Sequence, residues 1–387
     1  MTDNSLAALF SRVDELRPRM METWAKLVNR DCGSRNKAGV DGVGSDVRAF
    51  LEACGYRVSF REYEKAGNML IAEKGDMTKP FVVLLGHLDT VFADGEAARR
   101  PFTIGESGLT VSGPGALDMK GGVTIMLYAA KILSEVGWDR YPVKIILAGD
   151  EEVGHCQSGA ADAMAEEADG ALMGFNFETS YEDNALVVGR KGAAQFRLDV
   201  KGVGAHAGNN PRDGRNAVSE LCRKEPLISA LTDWDEGTSI NFGVIHGGTV
   251  ANAIPENAYA VVDVRYKKMA GYRRVKKALQ EIADRVIVEG TKTTLRQTIS
   301  FAAMERNEKS DELFARVNAI AVEAGLPEMH PIEVGGASDS AYLILAGVPT
   351  VCALGVKGRF NHTVREYAVI DSLFEREKLI LAVLSKI

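Results

Sequence analysis

The sequence predicts an α/β fold: a layered domain on a mixed, largely parallel sheet, with a smaller α+β domain inserted into it. Three observations carry this. Short, fully apolar runs alternate with helix-like segments through the first half of the chain. Near Arg190 the texture changes to strands that alternate apolar and polar residues, separated by amphipathic helices. From about Phe301 the first texture returns. The expected division is residues 1–188 and 301–387 for the layered domain and 189–300 for the insert.

The opening segment, 6–28, has helical spacing, with Pro18 expected to kink or divide it. A second helix is read over 45–54, stopped by Gly55. β-rich runs follow at 56–60 and 69–72. The run 81–85 is apolar throughout and ends in Gly86, the pattern of a strand buried on both faces. A helix over 123–136 separates it from two more such runs, 143–147 and 171–177. In the insert, 194–200, 239–245 and 258–266 alternate. The segment 271–288 places Val275, Leu279, Ile282 and Val286 on one helical face. Helices over 311–324 and 371–387, with an apolar run at 350–354, complete the chain.

Composition narrows the function classes. The 387 residues are 46% hydrophobic and 26% charged, as in ordinary globular proteins. The formal net charge of −7 argues against a nucleic-acid partner, whose phosphates need a basic face. Runs such as 81–85 and 143–148 fall far short of the ~20 apolar residues a bilayer helix needs, so no membrane is expected. The opening stretch carries acids early and lacks a basic start before an apolar core, so no secretory signal is expected. Cys32, Cys54, Cys156, Cys222 and Cys352 are odd in number with no C-x-x-C pair, which favours a reducing, cytoplasmic setting.

Chemistry-bearing residues gather where α/β sheets place ligands, at the carboxyl ends of strands. His87 and Asp89 follow the run 81–85 and suit a metal ligand with a carboxylate that orients it. Taken alone, such a histidine is more often a hydrogen-bonded structural residue. The glycine-rich stretch 113–122 presents Asp118; it lacks the spacing of a phosphate loop and has a plain turn as its bland reading. Asp150, Glu151 and Glu152 follow 143–147, where three acids often form only a solvated turn. Glu178 ends the run 171–177, and His362 lies in a loop after 350–354. Together, two histidines and three carboxylates suffice for a dinuclear site. The absence of thiolate suits catalytic zinc, with cobalt or manganese as alternatives. Three carboxylates nearly balance two divalent cations, which leaves Glu151 free as a base.

The motifs GHLDTV, GPGALDMKGG, DEEVG, GVGAHAGNNPRDGRNAV and GGTVANAIPENAYAVVDVRY resemble the two-zinc metallopeptidase and deacylase family. That family includes glutamate carboxypeptidase, acetylornithine deacetylase, succinyl-diaminopimelate desuccinylase and aminoacylase. The resemblance runs from about Asp31 to His362 with the motifs in family order, and is nearest to the glutamate carboxypeptidases. It implies a zinc-peptidase-like catalytic domain with an inserted ferredoxin-like lid and dimerisation domain. It also implies two zinc ions per subunit. His87, Asp118 and Glu178 would hold one; Asp118 (bridging), Glu152 and His362 would hold the other. Asp89 would orient His87, Glu151 would act as general base and acid, and the Asp118–Met119 peptide would often be cis.

Further roles follow from the same resemblance. His206 would donate to the oxyanion, often reaching the active site from the second subunit of a homodimer; its bland reading is a histidine capping the loop after Val203. Asn252 and Arg265 would be substrate contacts, the planar fork of Arg265 suiting a free α-carboxylate; the lesser alternative for Arg265 is a strand-borne surface arginine paired with Asp263 or a neighbour. Gly336 falls in a small-residue stretch suited to a specificity pocket. Two departures stand out: Glu178 is followed by Thr179 where proline is common, and Gly154-His155-Cys156-Gln157 is unlike the family pattern.

The expected activity is metal-assisted amide hydrolysis that releases a C-terminal amino acid, glutamate being one candidate, from a peptide or N-acyl conjugate. The alternative is a deacylase of N-acyl amino acids or diamines. A binding protein that has lost the chemistry is disfavoured because no ligand position and no base is missing. A Cys156-dependent hydrolase is disfavoured because no Cys/His arrangement is evident.

Overall fold

The computed structural model describes residues 3–387. In chain order its principal elements begin with α1 (Asp3–Val28), α2 (Lys37–Ala53), β1 (Arg57–Arg61), β2 (Met69–Lys74) and β3 (Phe81–His87). α3 (Gly121–Glu135), β4 (Val143–Ala148), α4 (Ala160–Ala168) and β5 (Ala171–Asn176) follow. Next are β6 (Gly192–Lys201), α5 (Ala217–Ser229), β7 (Ser239–Gly247), β8 (Asn257–Tyr266), α6 (Met269–Asp284) and β9 (Lys292–Phe301). The chain ends with α7 (Glu308–Glu323), α8 (Ser340–Leu345), β10 (Thr350–Val351) and α9 (Ile370–Lys386). It divides into two compact units, one of residues 1–188, 306–333 and 338–387, the other of residues 189–305 and 334–337. The division expected at 300/301 falls inside β9, whose ladder to β6 runs on to Phe301 opposite Ala193, so the second unit extends to Glu305.

The first unit is built on a six-stranded sheet of order β1-β2-β4-β3-β5-β10. β4, β3, β5 and β10 run parallel, while β2 joins β4 antiparallel and β1 returns beside β2. This is the mixed, largely parallel sheet of the α/β class. β3 and β4 are buried at every position, which explains their mostly apolar sequences, Lys144 being the one charged residue within them. Their register sets His87 beside Ala148, so both strands end at one level, and the acids after β4 begin where β3 presents its histidine. α1 remains a single helix despite Pro18: Leu9, Val13, Leu16, Met20, Trp24 and Leu27 are buried along one face, and that burial outweighs the backbone hydrogen bond a helical proline removes.

The second unit has the ferredoxin-like order β-α-β-β-α-β. β7-β8-β6-β9 form an antiparallel sheet, with its own core of Phe196, Leu198, Val262 and Val264 under Leu221, Val275 and Leu279. β9 alternates like its neighbours, yet its Lys, Thr, Arg and Gln positions leave a weak apolar signal.

Candidate metal centre

Two loops and three strand ends build the site within the first unit. His87 closes β3 and is buried. Its backbone N–H donates to Met119 Sδ at 3.2 Å. Gly86 before it leaves room for two methionine ends: a Cβ there would lie 2.4 Å from Met119 Cε and 2.9 Å from Met126 Cε, and both would have to move. The loop that carries Asp118 kinks within Ala116–Lys120, where Asp118 and Met119 are non-helical and joined by a cis peptide. Trp24 Nε1 donates to Ala116 O at 3.0 Å, and Glu366 accepts from the backbone N–H of Leu117 at 2.8 Å and of Asp118 at 3.3 Å.

Asp118 turns its two oxygens toward different histidines. Oδ1 lies 3.4 Å from His87 Nε2, and Oδ2 lies 3.2 Å from His362 Nε2. His87 Nε2 is also 3.6 Å from Glu178 Oε1, and His362 Nε2 is 3.1 Å from Glu152 Oε2. Ligand atoms of His87, Glu151 and Glu178 fall within 4.8 Å of one another, as do those of His87, Asp118 and Glu152. The five side chains read from sequence as ligands, His87, Asp118, Glu152, Glu178 and His362, therefore meet in one place, with the expected base Glu151 beside them.

Asp89 has a larger part than orienting His87. Its Oδ1 is 3.3 Å from His87 Nδ1 and accepts from Glu151 N at 3.1 Å. Its Oδ2 accepts from Glu152 N at 3.2 Å and from Ser34 Oγ at 2.6 Å. One buried carboxylate thus holds both the histidine and the turn that bears the two glutamates. Burial works against its charge, but His87, Ser34 and the Glu152 amide keep its carboxyl below the usual range.

The electrostatics are those of crowded acids. Burial raises the proton affinity of Glu151 well above the ordinary range; His87 opposes this, while Glu178, Asp339 and Glu152 add to it. Burial and Asp118 push Glu152 up to about 7, against the pull of the histidines. Hydrogen bonds to Asp118 and Glu152 raise His362 to about 11. Three buried atoms here, His87 Nε2, Asp118 Oδ1 and Glu152 Oε1, have no hydrogen-bond partner. Polar atoms of this kind are costly when buried. Imidazole nitrogen and carboxylate oxygen are the donors that hold divalent transition-metal ions, so the residues fit a metal cluster.

The other predicted site residues lie in the second unit. His206 and Asn252 are neighbours there: Ala207 N donates to Asn252 O at 2.9 Å, and both residues line a cavity of about 990 Å³. His206 Nδ1 accepts from Gly208 N and Asn209 N, each at 3.1 Å, which is the loop-capping arrangement. It also leaves the ring proton on Nε2, a donor. Arg265 pairs with Asp263 through Nε at 2.8 Å and Nη2 at 3.2 Å, the bland alternative weighed above. Gly336 O accepts from Arg190 Nη1 at 3.2 Å.

Sequence reasoning missed Ser34, Glu366 and Asn361, whose Nδ2 donates to Asp118 Oδ2 and to Thr179 Oγ1, each at 3.2 Å. Asn361 had one available signal, adjacency to His362. Ser34 and Glu366 sit in polar stretches that carry none.

The fold and the donor cluster define a metal-dependent hydrolase of the metallopeptidase class. The chain belongs to peptidase family M20/M25/M40, whose model matches residues 83–386. Carboxypeptidase G2 of Pseudomonas sp. (strain RS-16) is 29% identical over 377 residues, covering 95% of this chain and 89% of that protein. Among solved structures, the aminopeptidase PepT of Bacillus cereus superposes with a TM-score of 0.76 at 19% identity, covering 95% of this chain and 98% of that one. The metallo-carboxypeptidase Sso-CP2 of Sulfolobus solfataricus gives 0.75 at 16%, covering 94% and 98%. These two likenesses speak for the fold. No helix among the described residues is long and apolar enough to cross a membrane.

Proposed function

We propose that the chain is a cytoplasmic two-zinc carboxypeptidase that hydrolyses an amide bond and releases a C-terminal amino acid from a peptide or N-acyl conjugate. The observation that carries this is the divided carboxylate of Asp118, with one oxygen toward His87 and the other toward His362. A carboxylate so placed suits a bridge between two cations. His87, Asp118 and Glu178 would hold one, and Asp118, Glu152 and His362 the other. When bound, zinc acidifies water and polarises a carbonyl.

The chain's own groups do the rest. Glu151 takes a proton from the attacking water and returns it to the departing nitrogen. Its place beside the donor cluster, its ligand-type oxygen within 4.8 Å of those of His87 and Glu178, suits that exchange. His206, with its ring proton on Nε2, donates to the developing oxyanion, reaching it as part of a homodimer formed through the second unit. Asn252 and Arg265 receive the substrate α-carboxylate, Asp263 orienting the guanidinium, and Gly336 lets the substrate backbone approach. The similarity to carboxypeptidase G2 supports C-terminal release, and the motif resemblance makes glutamate a candidate product.

The test is metal analysis with kinetics on a panel of dipeptides and N-acyl amino acids. Two metal ions per chain, loss of turnover on chelation, and a fall of about 10²–10⁴-fold in kcat for Glu151→Gln with both metals retained are expected. Full activity in Glu151→Gln would end the mechanism. Preference for acetylated amino acids or diamines over dipeptides would replace the carboxypeptidase reading with a deacylase.

A further inference from the structure

The turn after the two glutamates is where the sequence leaves the family pattern, and it is also where the first unit buries an unusual constellation. Val153 ends a single helical turn, Gly154 and His155 both take left-handed backbone conformations (φ 66° and 54°), and the His155 side chain turns inward to 1% exposure. There it lies between two carboxylates. Nδ1 is 3.1 Å from Asp150 Oδ1, and Nε2 is 2.6 Å from Asp339 Oδ1. Asp150 is the residue before the proposed base. Asp339 is 184 positions from His155 in sequence and directly precedes α8. Both carboxylates are buried, and the second oxygen of each, Oδ2, has no hydrogen-bond partner. Tyr342, on α8, packs edge-on against the imidazole at 5.6 Å.

Hydrogen-bond chemistry limits what His155 can be. Each ring nitrogen lies within hydrogen-bond distance of a carboxylate oxygen, and an imidazolium, which donates from both nitrogens, serves both at once. Burial opposes that charge, yet Asp339 and Asp150 outweigh it and hold the ring protonated well above the ordinary histidine range. A charged ring donating to acceptors on both sides is stronger and more directional than a neutral contact.

We propose that His155 is a positioning residue for catalysis: bridged between Asp150 and Asp339, it fixes the Glu151-bearing turn to the turn that opens α8. His155 meets neither substrate nor cation in this account. Asp89 holds the Glu151 and Glu152 amides from the side of β3, and His155 holds the same turn from the side of α8. Glu151 is thereby restrained from two directions. Small displacements of a reacting group cost rate steeply, about 10²-fold for 1 Å. The inference rests on Glu151 acting as the base.

The test is a double-mutant cycle on the metal-loaded full chain with His155→Asn, Asp339→Asn and both together. kcat, KM, metal content and unfolding are measured for each. The expected result is a 10–100-fold loss in kcat for either single variant, KM within about threefold, and two metals retained. The double variant should be no slower than the slower single, since the two act through one contact. A strongly downfield imidazole N–H proton resonance, present in the native chain with or without metal, should vanish in Asp339→Asn.

Unchanged kcat in a folded, metal-loaded single variant would overturn the proposal, as would losses that multiply in the double variant. Failure of both single variants to fold would reduce the bridge to a structural tie and overturn it equally. If the native chain holds two metals and hydrolyses no amide, the functional reading fails instead, and the proton resonance still reports whether the bridge exists.

Discussion

Replacing Asp89 with alanine removes one carboxylate and strands three donors. Ser34 Oγ, at 2.6 Å, can rotate toward Thr90 O, 3.5 Å away, and so recovers part of its bond. The Glu151 and Glu152 amides, at 3.1 and 3.2 Å, have no such freedom. An unsatisfied buried donor costs about 1–3 kcal/mol, so two amides set a loss of about 2–6 kcal/mol in unfolding free energy. The same change leaves His87 Nδ1 its contact with the Asp89 backbone carbonyl at 3.1 Å but removes the carboxylate oxygen at 3.3 Å, so the ring is held by one acceptor instead of two. Loss of such a partner typically lowers metal affinity by 10–100-fold. Urea unfolding of the metal-free chain gives the first quantity, and zinc competition against a chromophoric chelator the second. Asp89→Asn, which keeps one acceptor oxygen, should lose about half as much stability. An Asp89→Ala chain that unfolds within about 0.5 kcal/mol of the native one and binds zinc equally well would refute the claim that this carboxylate clamps the site.

Two further predictions concern the first unit. Glu377, in α9, is fully buried and neither of its oxygens has a hydrogen-bond partner, so burial raises its carboxyl well above the usual range. The folded state then holds the proton more tightly than the unfolded chain, and this group lowers stability as pH rises above about 4, the ordinary glutamate value. Glu377→Met should therefore stabilise by about 1–3 kcal/mol at pH 8 and by little near pH 4, measured as urea midpoints; an equal effect at both pH values would show that the carboxyl is not the cause. Gly122 opens α3 where a Cβ would sit 2.0 Å from Phe177 O, a backbone atom next to Glu178. Gly122→Ala should cost about 1–3 kcal/mol and weaken metal retention, and a native-like thermal transition with full metal content would contradict this.

How much was legible beforehand differs between the scaffold and the site. β3 and β4 announced themselves because strands buried on both faces leave mostly apolar sequence, interrupted in β4 only by Lys144. Strand ends in a parallel sheet then marked His87, the acids after Ala148 and Glu178 as residues sharing one edge. β9 escaped notice because its outward positions are charged or hydroxylic and its inward ones mix Thr293 and Gln297 with Leu295, Ile299 and Phe301. Pro18 misled in the other direction, since tertiary burial of the α1 stripe overrides a local helix penalty.

The chemical identity of the site is a local property: strand pattern, glycine spacing and residue type suffice to say which side chains end where, and those are written in the chain. The partners of those side chains are a different matter. That Asp89 grips the Glu151 turn, that Glu366 holds the Asp118 loop and that His155 reaches Asp339 depend on segments tens to hundreds of residues apart arriving at one point. A hydrogen bond has a reach of about 3 Å and leaves no periodic trace in sequence. Only the packed fold, which sets those distances, decides which polar groups meet.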